Sequence, residues 1–377
     1  MPTPVLRLGI LGATNAVQAT YLPVLRSLNT HYTLTAIYDP NPEIAKQCQA
    51  RFDITHSATV VEDVLLHKEV DVILNLLPIE YHEQYTVTAL EAGKDVCVGC
   101  ARRYAPCFTE VFKKELAALG RVYYARCRNI AGPMNIDNSV ASASKDIIPT
   151  MKSNNNPEQF RALLEDVFGL EEDLTPDRVA FCRYLGMMGC HDLSVMRESL
   201  GFPDAVSNVA ITDPFYSAIF HYTNSAENDG HPFTLLYEAG VDAVPRCDAH
   251  LTVYGAHKTL SVEYDFPRPG EKISTGTYVR VVVEEADETM EMDQVNGNQI
   301  NETKNAAVPG PRVKRTETVS TCNEAYEREF LALHSYLVGG ALAAKTTADD
   351  AFMDLRLLLM IFDHYNRQCG TIRTPLG

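Results

Sequence analysis

The sequence predicts an α/β protein built from a parallel-sheet domain and a following α+β domain with an open, mostly antiparallel sheet. An apolar run from Val5 to Leu11, a glycine turn, an amphipathic run and a second apolar run ending at Asp39 describe a strand–helix–strand unit with parallel strands. Several segments between Ala205 and Ser320 instead alternate apolar and polar residues, as antiparallel strands with one buried face do. We therefore expect one domain over residues 1–105 and a second over residues 106–377.

The turn after the first strand carries part of a dinucleotide-binding fingerprint. Gly12 occupies the first glycine position of that motif, which needs a tight turn, whereas Thr14 and Val17 stand at the second and third. Asp39 closes the second strand, where it accepts from a cofactor ribose or serves as an ordinary turn residue before Pro40. The residues that we expect to contact a dinucleotide here are Gly12, Ala13, Thr14, Asn15 and Asp39.

Alternating helices and strands continue to Val98, which predicts further parallel strands. The predicted helices cover residues 42–51, 60–67 and 80–92, and the predicted strands lie near Ile54 and over residues 70–77 and 95–98. Ligands bind at the carboxyl ends of parallel strands, so Leu77 and Pro78 become candidate cofactor contacts. His82 follows them and either contacts a cofactor ribose or caps its helix.

The second domain is predicted to begin with a helix over residues 106–119 and a strand over residues 122–130. A polar stretch over residues 131–157 predicts a loop or lid, and Thr175-Pro176-Asp177 is typical of a helix start. The alternating strands are expected at residues 209–212, 216–222, 233–237, 249–254, 259–264, 278–283 and 313–319. Helices over residues 324–337 and 347–365 close the chain and could pack back on the first domain.

Composition excludes several classes of partner. The formal charge is −16, so nucleic acid and anionic membrane surfaces are poor partners. No apolar stretch approaches the roughly 20 residues that a membrane span requires. The ten cysteines mostly stand singly, and the lone Cys97-x-x-Cys100 pair lacks a second pair. We expect reduced thiols, no bound metal and, because the first strand starts within a few residues of Met1, a cytoplasmic protein.

Six blocks of sequence resemble the Gfo/Idh/MocA oxidoreductases. They are residues 9–13, 38–43, 70–78 and 89–94 in the first domain and 189–193 and 241–250 in the second. The resemblance implies a Rossmann-like first domain, an NAD(P) cofactor, a small-molecule substrate and a homodimer formed through the open sheet. It also implies a catalytic lysine in a Glu-Lys-Pro motif that follows the fifth strand.

That motif is missing from the expected position. Val98 runs directly into Gly99-Cys100-Ala101-Arg102-Arg103-Tyr104, which resembles a block that family enzymes place one crossover later. We therefore expect a Rossmann-like domain shortened by one crossover and lacking the lysine. Lys94 precedes its strand, at the edge of the sheet opposite the ligand crevice, and so cannot replace that lysine.

Five residues near the predicted junction of the domains are candidates for catalysis or substrate binding. The resemblance implies that His191 moves a proton, with Asp192 orienting it, although His191 could also be a core or capping residue. Arg102 and Arg103 either hold an anionic substrate or form an ion-pair cluster between the domains. Tyr104 is either a proton donor or a core residue.

Arg246, Asp248 and His250 alternate along one predicted strand and so share a face. If that face looks into the crevice, the three side chains line a substrate pocket. If it looks away, they form a polar sheet surface or an oligomer contact.

Three functions remain open on the sequence alone. One is an NAD(P)-dependent oxidoreductase, in which His191 or Tyr104 takes the proton. Another is a cofactor-independent isomerase, lyase or cyclase of secondary metabolism that uses His191 and Arg103. The third is a non-catalytic ligand sensor or regulator.

Overall fold

The described part of the chain covers most of both predicted domains. The structure is a computed structural model, and it describes residues 4–97, 99–132, 156–169, 174–244, 247–265, 278–286, 313–340 and 344–369. The candidate residue Arg246 lies outside these ranges, as does most of the predicted loop or lid.

The first sheet consists of five parallel strands in the order β3-β2-β1-β4-β5. The strands are β1 (Leu6–Leu11), β2 (Tyr32–Tyr38), β3 (His56–Ala58), β4 (Val72–Asn75) and β5 (Asp95–Cys97). A π-helical turn over Val17–Tyr21 leads into α1 (Leu22–Ser27), and α2 (Pro42–Phe52), α3 (Glu62–Leu65) and α4 (His82–Glu91) make the later crossovers. The strand order reverses between β1 and β4, which is where sheets of this kind bind ligands.

The second sheet consists of eight strands in the order β13-β12-β11-β10-β6-β9-β8-β7. The strands are β6 (Tyr124–Ala131), β7 (Ala205–Thr212), β8 (Phe215–Thr223), β9 (Pro232–Val241), β10 (Cys247–Tyr254), β11 (Lys258–Asp265), β12 (Tyr278–Ala286) and β13 (Val313–Thr321). Every neighbouring pair is antiparallel except β6 and β9, which run parallel. Together the two sheets confirm the predicted fold class.

The chain passes from β5 into a 3₁₀ turn over Ala101–Tyr104 and a π-helical turn over Cys107–Phe112. The remaining helices are α5 (Lys113–Ala117), α6 (Pro157–Phe168), α7 (Pro176–Tyr184), α8 (Cys190–Leu200), α9 (Cys322–Leu337) and α10 (Ala348–Cys369), and a further π-helical turn over Leu185–Gly189 leads into α8. Asn156 caps α6 through its side chain, and Thr175 caps α7 in the same way, in agreement with the helix start predicted there.

Helix α9 packs against the first sheet although it belongs to the end of the chain. Phe330 and Leu333 lie in the same apolar cluster as Leu8 and Ile10 of β1. The Tyr32 hydroxyl donates to the carbonyl of Phe330 at 2.7 Å. This packing holds α9 beside the end of β5, close to the candidate site.

The second sheet has one face covered by helices and one face that is more open. Asn129 of β6 reaches across the covered face to bond Asp192 of α8 at 2.7 Å. Neighbouring residues of a strand point to opposite faces, so Arg128 points the other way. We refer to the side that carries Arg128 as the open face.

Candidate functional site

The turn at Gly12 is shaped by the chain around it. Its N–H donates to the carbonyl of Tyr38 at 2.8 Å, and its φ of +96° favours glycine. A Cβ atom added here would lie 2.7 Å from the carbonyl oxygen of Leu76. Glycine is therefore required to bring the β1 turn against the end of β4, as the first glycine of a dinucleotide-binding motif does.

Asp39 closes the same turn from the end of β2. Its two carboxylate oxygens accept the N–H groups of Ala13 at 2.8 Å and of Asn41 at 2.9 Å. Burial raises the pKa of Asp39 above its ordinary value, and the two N–H donors oppose that rise. Each oxygen keeps lone-pair capacity for a further donor, such as a ribose hydroxyl.

Thr14 begins the helical turn that follows. Its Oγ1 accepts from the N–H of Val17 at 3.4 Å, and its carbonyl accepts from Gln18 N–H at 3.0 Å. Thr14 is exposed, whereas Asn15 and Val17 are buried. The threonine hydroxyl is thus turned back onto its own helix as a cap.

His82 holds the turn at the end of β4. Its Nε2 donates to the carbonyl of Leu77 at 2.7 Å, which places the ring proton on that nitrogen. The Asn75 amide donates to the carbonyls of Tyr81 and His82 at 3.4 and 3.3 Å. Of the two interpretations of His82, these contacts fit a residue that organises the helix start.

A cluster of polar side chains forms where the chain leaves β5 and meets α8. The Cys100 sulfur lies 2.7 Å from Ser194 Oγ and 3.6 Å from His191 Nδ1. Burial raises the pKa of Cys100 to about 11, so the sulfur is a thiol at neutral pH. We call Cys100, His191 and Ser194 the junction cluster.

His191 is the second residue of α8, which continues the helical run from α7 through the π-helical turn over Leu185–Gly189. Burial, together with the charges of Arg102 and Arg103, lowers the pKa of His191 to about 3. The imidazole is therefore neutral at physiological pH. It can form hydrogen bonds with a ligand, but because its pKa is so low it is a poor proton acceptor at that pH.

Asp192 pairs with Arg102 rather than with His191. Its Oδ1 lies 2.6 Å from Arg102 Nη1, and its Oδ2 accepts from Asn129 at 2.7 Å. The Arg102 guanidinium also stacks over the Tyr264 ring, 4.6 Å from its centroid. These contacts fix Arg102 beside His191, and they give Asp192 a different task from the expected one.

Arg103 and Tyr104 lie in the core, where both contact the segment that leads into α10. Arg103 is 2% exposed, forms an ion pair with Asp350 and donates to the carbonyl of Lys345 at 2.9 Å. The Tyr104 hydroxyl accepts from Lys345 N–H at 2.9 Å, and burial raises its pKa to about 12. The ion-pair and core interpretations therefore fit these two residues.

Asp248 and His250 lie on the open face, away from α8. His250 pairs across the sheet with Arg128, and Asp248 pairs with Ile130, so both share the side opposite Asn129. Asp248 lies 2.9 Å from Arg128 and 3.3 Å from His250. Of the two interpretations of this strand, the polar-surface one fits these contacts, because the sheet lies between the two side chains and Asn129 on the covered face.

Comparison with known proteins agrees with this geometry. The sequence model of the oxidoreductase family with an NAD-binding Rossmann fold (Gfo/Idh/MocA) matches residues 6–99. Residues 6–99 thus match the NAD-binding Rossmann fold of the Gfo/Idh/MocA family. The mouse "glucose-fructose oxidoreductase domain-containing protein 2" is 33% identical over 88 residues, 23% of this chain. That match spans only 22% of the mouse protein's own length.

Solved structures share the fold over nearly the whole chain. A levoglucosan dehydrogenase in complex with NADH and levoglucosan has a TM-score of 0.62 and 14% identity, covering 97% of this chain and 98% of its own. The oxidoreductase yvaA from Bacillus subtilis has a TM-score of 0.61 and 13% identity, with the same coverage. KijD10, a 3-ketoreductase from Actinomadura kijaniata in complex with NADP and TDP-benzene, has a TM-score of 0.61 and 13% identity, covering 96% and 98%.

Glu329 contacts the junction cluster through Cys100, and sequence reasoning missed it. Its Oε1 accepts the Cys100 N–H at 2.6 Å beside the end of the Gfo/Idh/MocA domain, and the side chain is 1% exposed. Burial raises the pKa of Glu329 to about 7, and within the described residues no hydrogen-bond partner reaches Oε2. A signal was present, because Tyr326, Glu329, Phe330 and Leu333 share one helical face.

Proposed function

We propose that this protein is an NAD-dependent oxidoreductase acting on a small molecule that carries a hydroxyl or carbonyl group. The observation that carries the proposal is the bond from Asp39 to the N–H of Ala13, because it joins an acid at the end of β2 to the glycine turn. This pairing of a turn and an acid serves dinucleotides in Rossmann folds. The family match over residues 6–99 supports the same conclusion.

The residues of the turn fit a dinucleotide in charge and shape. Gly12 allows a close backbone approach, and the helix that begins at Asn15 offers its amino end to a pyrophosphate near Ala13 and Thr14. Asp39 would hold the ribose of the adenosine half. Leu77 and Pro78 follow β4, beside which the other half of the cofactor would lie. When bound, the cofactor supplies or takes up a hydride.

His191 is the residue that we assign to the substrate. His191 Nδ1 faces the Cys100 sulfur, so we assign Nε2 to the substrate; with the ring proton on Nε2, the neutral ring would donate to a substrate oxygen. The fixed charge of Arg102 stabilises negative charge that develops on that oxygen. Arg103, Tyr104, Asp248 and His250 have no part in this assignment.

The cofactor proposal is tested by calorimetric titration of the purified protein with NADH and with NADPH. We expect micromolar binding of NADH and about tenfold or more weaker binding of NADPH, because a carboxylate at Asp39 accepts from a ribose hydroxyl but repels a 2′-phosphate. Asp39→Ser should reduce that preference. Absence of binding at millimolar NADH would contradict the proposal and favour the cofactor-independent enzyme or the sensor.

The role of His191 is tested by a matched pair of variants. The substrate screen begins with sugars, since levoglucosan is bound by one structural neighbour. We expect His191→Ala to lower turnover by about 10²- to 10³-fold, as loss of a positioned donor does, while NADH affinity stays unchanged. His250→Ala, on the open face, should keep turnover close to wild type. Equal activity of the two variants would remove His191 from the mechanism.

Two further expectations belong to this proposal. A homodimer formed through the open face agrees with the charged side chains found there, which include Arg128 and Asp248. A cytoplasmic location agrees with the composition. Within the described ranges, no helix combines the length and apolarity needed to cross a membrane.

A further inference from the structure

We propose that His56, His67 and Glu69 form a binding site for a divalent transition metal such as zinc. One ligand atom from each side chain lies within 4.8 Å of the other two. The site is independent of the proposed oxidoreductase function, because His67 and Glu69 come just before β4, at the amino edge of the sheet, and His56 is the first residue of β3. The cofactor residues lie at the carboxyl edge.

The backbone around the three ligands is held by hydrogen bonds. His56 pairs with Ala36 in the β2–β3 ladder. The carbonyl of His67 accepts from Lys94 Nζ at 2.9 Å and from Val70 N–H at 3.1 Å. Two anchored segments of chain therefore present their imidazoles to each other, with ring centroids 4.9 Å apart.

The ligand set selects the class of metal. Two imidazoles and a carboxylate suit zinc and its transition-metal neighbours, whereas magnesium and calcium prefer oxygen ligands alone. Tetrahedral zinc at its usual bond lengths brings its ligand atoms to about 3.4 Å from one another. Small side-chain rotations reach that spacing, because His56 and Glu69 are exposed and His67 is partly exposed. The three side chains leave the fourth position to water.

One existing contact has to change when a metal binds. The N–H of Glu69 donates to His67 Nδ1 at 3.2 Å, on the surface. Coordination through Nε2 needs the ring proton on Nδ1, so this bond is lost. The exchange costs little, because the bond is long and exposed to water.

No sequence pattern indicated this site, and we expected no bound metal. The two histidines are separated by ten residues and stand outside the short spacings of zinc motifs. Only the pairing of β2 with β3 brings His56 next to the turn that carries His67 and Glu69.

The test is calorimetric titration of the chelator-treated, full-length protein with zinc chloride. We expect one saturable site in the micromolar range, and a loss of affinity of about tenfold or more in each of His56→Ala and His67→Ala. The control is His231→Ala, which changes another exposed histidine and should bind as wild type does. Melting curves without metal establish that each variant is folded; should His56→Ala fail to fold, His56→Gln takes its place.

Cobalt(II) provides a second readout that separates this site from the cysteines. Nitrogen and oxygen ligands give weak visible bands without the strong near-ultraviolet absorption of cobalt–thiolate bonds. We expect the weak visible bands of nitrogen and oxygen ligands, and the loss of these bands in His67→Ala. A thiolate spectrum at one equivalent, no saturable binding, or unchanged zinc affinity in both histidine variants would each overturn the proposal.

Discussion

Replacing Arg103 by methionine is expected to lower the free energy of unfolding by about 3 kcal/mol or more. Arg103 is 2% exposed, and its guanidinium lies beside Asp350 and 3.7 Å from Glu198. Removing the cation leaves those two carboxylates poorly compensated, although Arg197 and Lys345 still contact them. Urea denaturation followed by circular dichroism measures the change.

The control for Arg103 is an arginine whose ion pairs are exposed. Arg315 pairs with Glu284 and Glu317 at 2.8 Å on the surface of the second sheet, so Arg315→Met should cost much less. Equal losses of unfolding free energy in Arg103→Met and Arg315→Met would contradict a buried ion-pair network around Arg103. A folded Arg103→Met protein that binds NADH but has lost all turnover would restore the catalytic interpretation of this residue.

Replacing Glu329 by glutamine is expected to change how stability depends on pH. Burial raises the pKa of Glu329 to about 7, so the folded protein holds this proton more tightly than the unfolded chain does. The group therefore favours folding at low pH, and this contribution is lost as pH rises from about 4.5 through about 7. The full contribution of Glu329 to the free energy of unfolding is about 3 kcal/mol.

The measurement compares unfolding free energies at pH 5 and pH 8 in the wild type and in Glu329→Gln. Glutamine keeps an oxygen for the Cys100 N–H and carries no charge, so the difference between the two pH values should shrink by a few kcal/mol. The matched control is Glu327→Gln, an exposed position on the same helix, which should behave as wild type. An unchanged pH dependence in Glu329→Gln would mean that this carboxyl group does not titrate with folding.

Local patterns predicted most elements because their causes are local. The run from Val5 to Asp39 specifies a parallel unit through its apolar periodicity and its glycine turn, and Thr175 marks a helix start through its own side chain. The candidate cofactor-binding turn could be predicted for the same reason, since Gly12 and Asp39 form their hydrogen bonds with the backbone around that turn.

Contacts between residues far apart in the sequence could not be predicted from local sequence patterns. Arg103 is neutralised by Asp350, which lies 247 residues later. Alternation along β10 placed Asp248 and His250 on one face, but the identity of that face depends on how β6 pairs with β10. The low pKa of His191 likewise depends on burial and on Arg102, whose position is set by Asp192 and Asn129.

The packing of α9 on the first sheet sets the order of events during synthesis. Phe330 and Leu333 belong to the same apolar cluster as Leu8 and Ile10. This core can therefore form only after more than two hundred residues beyond β5 have been synthesised. At ordinary translation rates that interval is roughly 10–50 s. During it the nascent first sheet exposes the apolar surface that α9 later covers, which chaperones that shield such surface can bind.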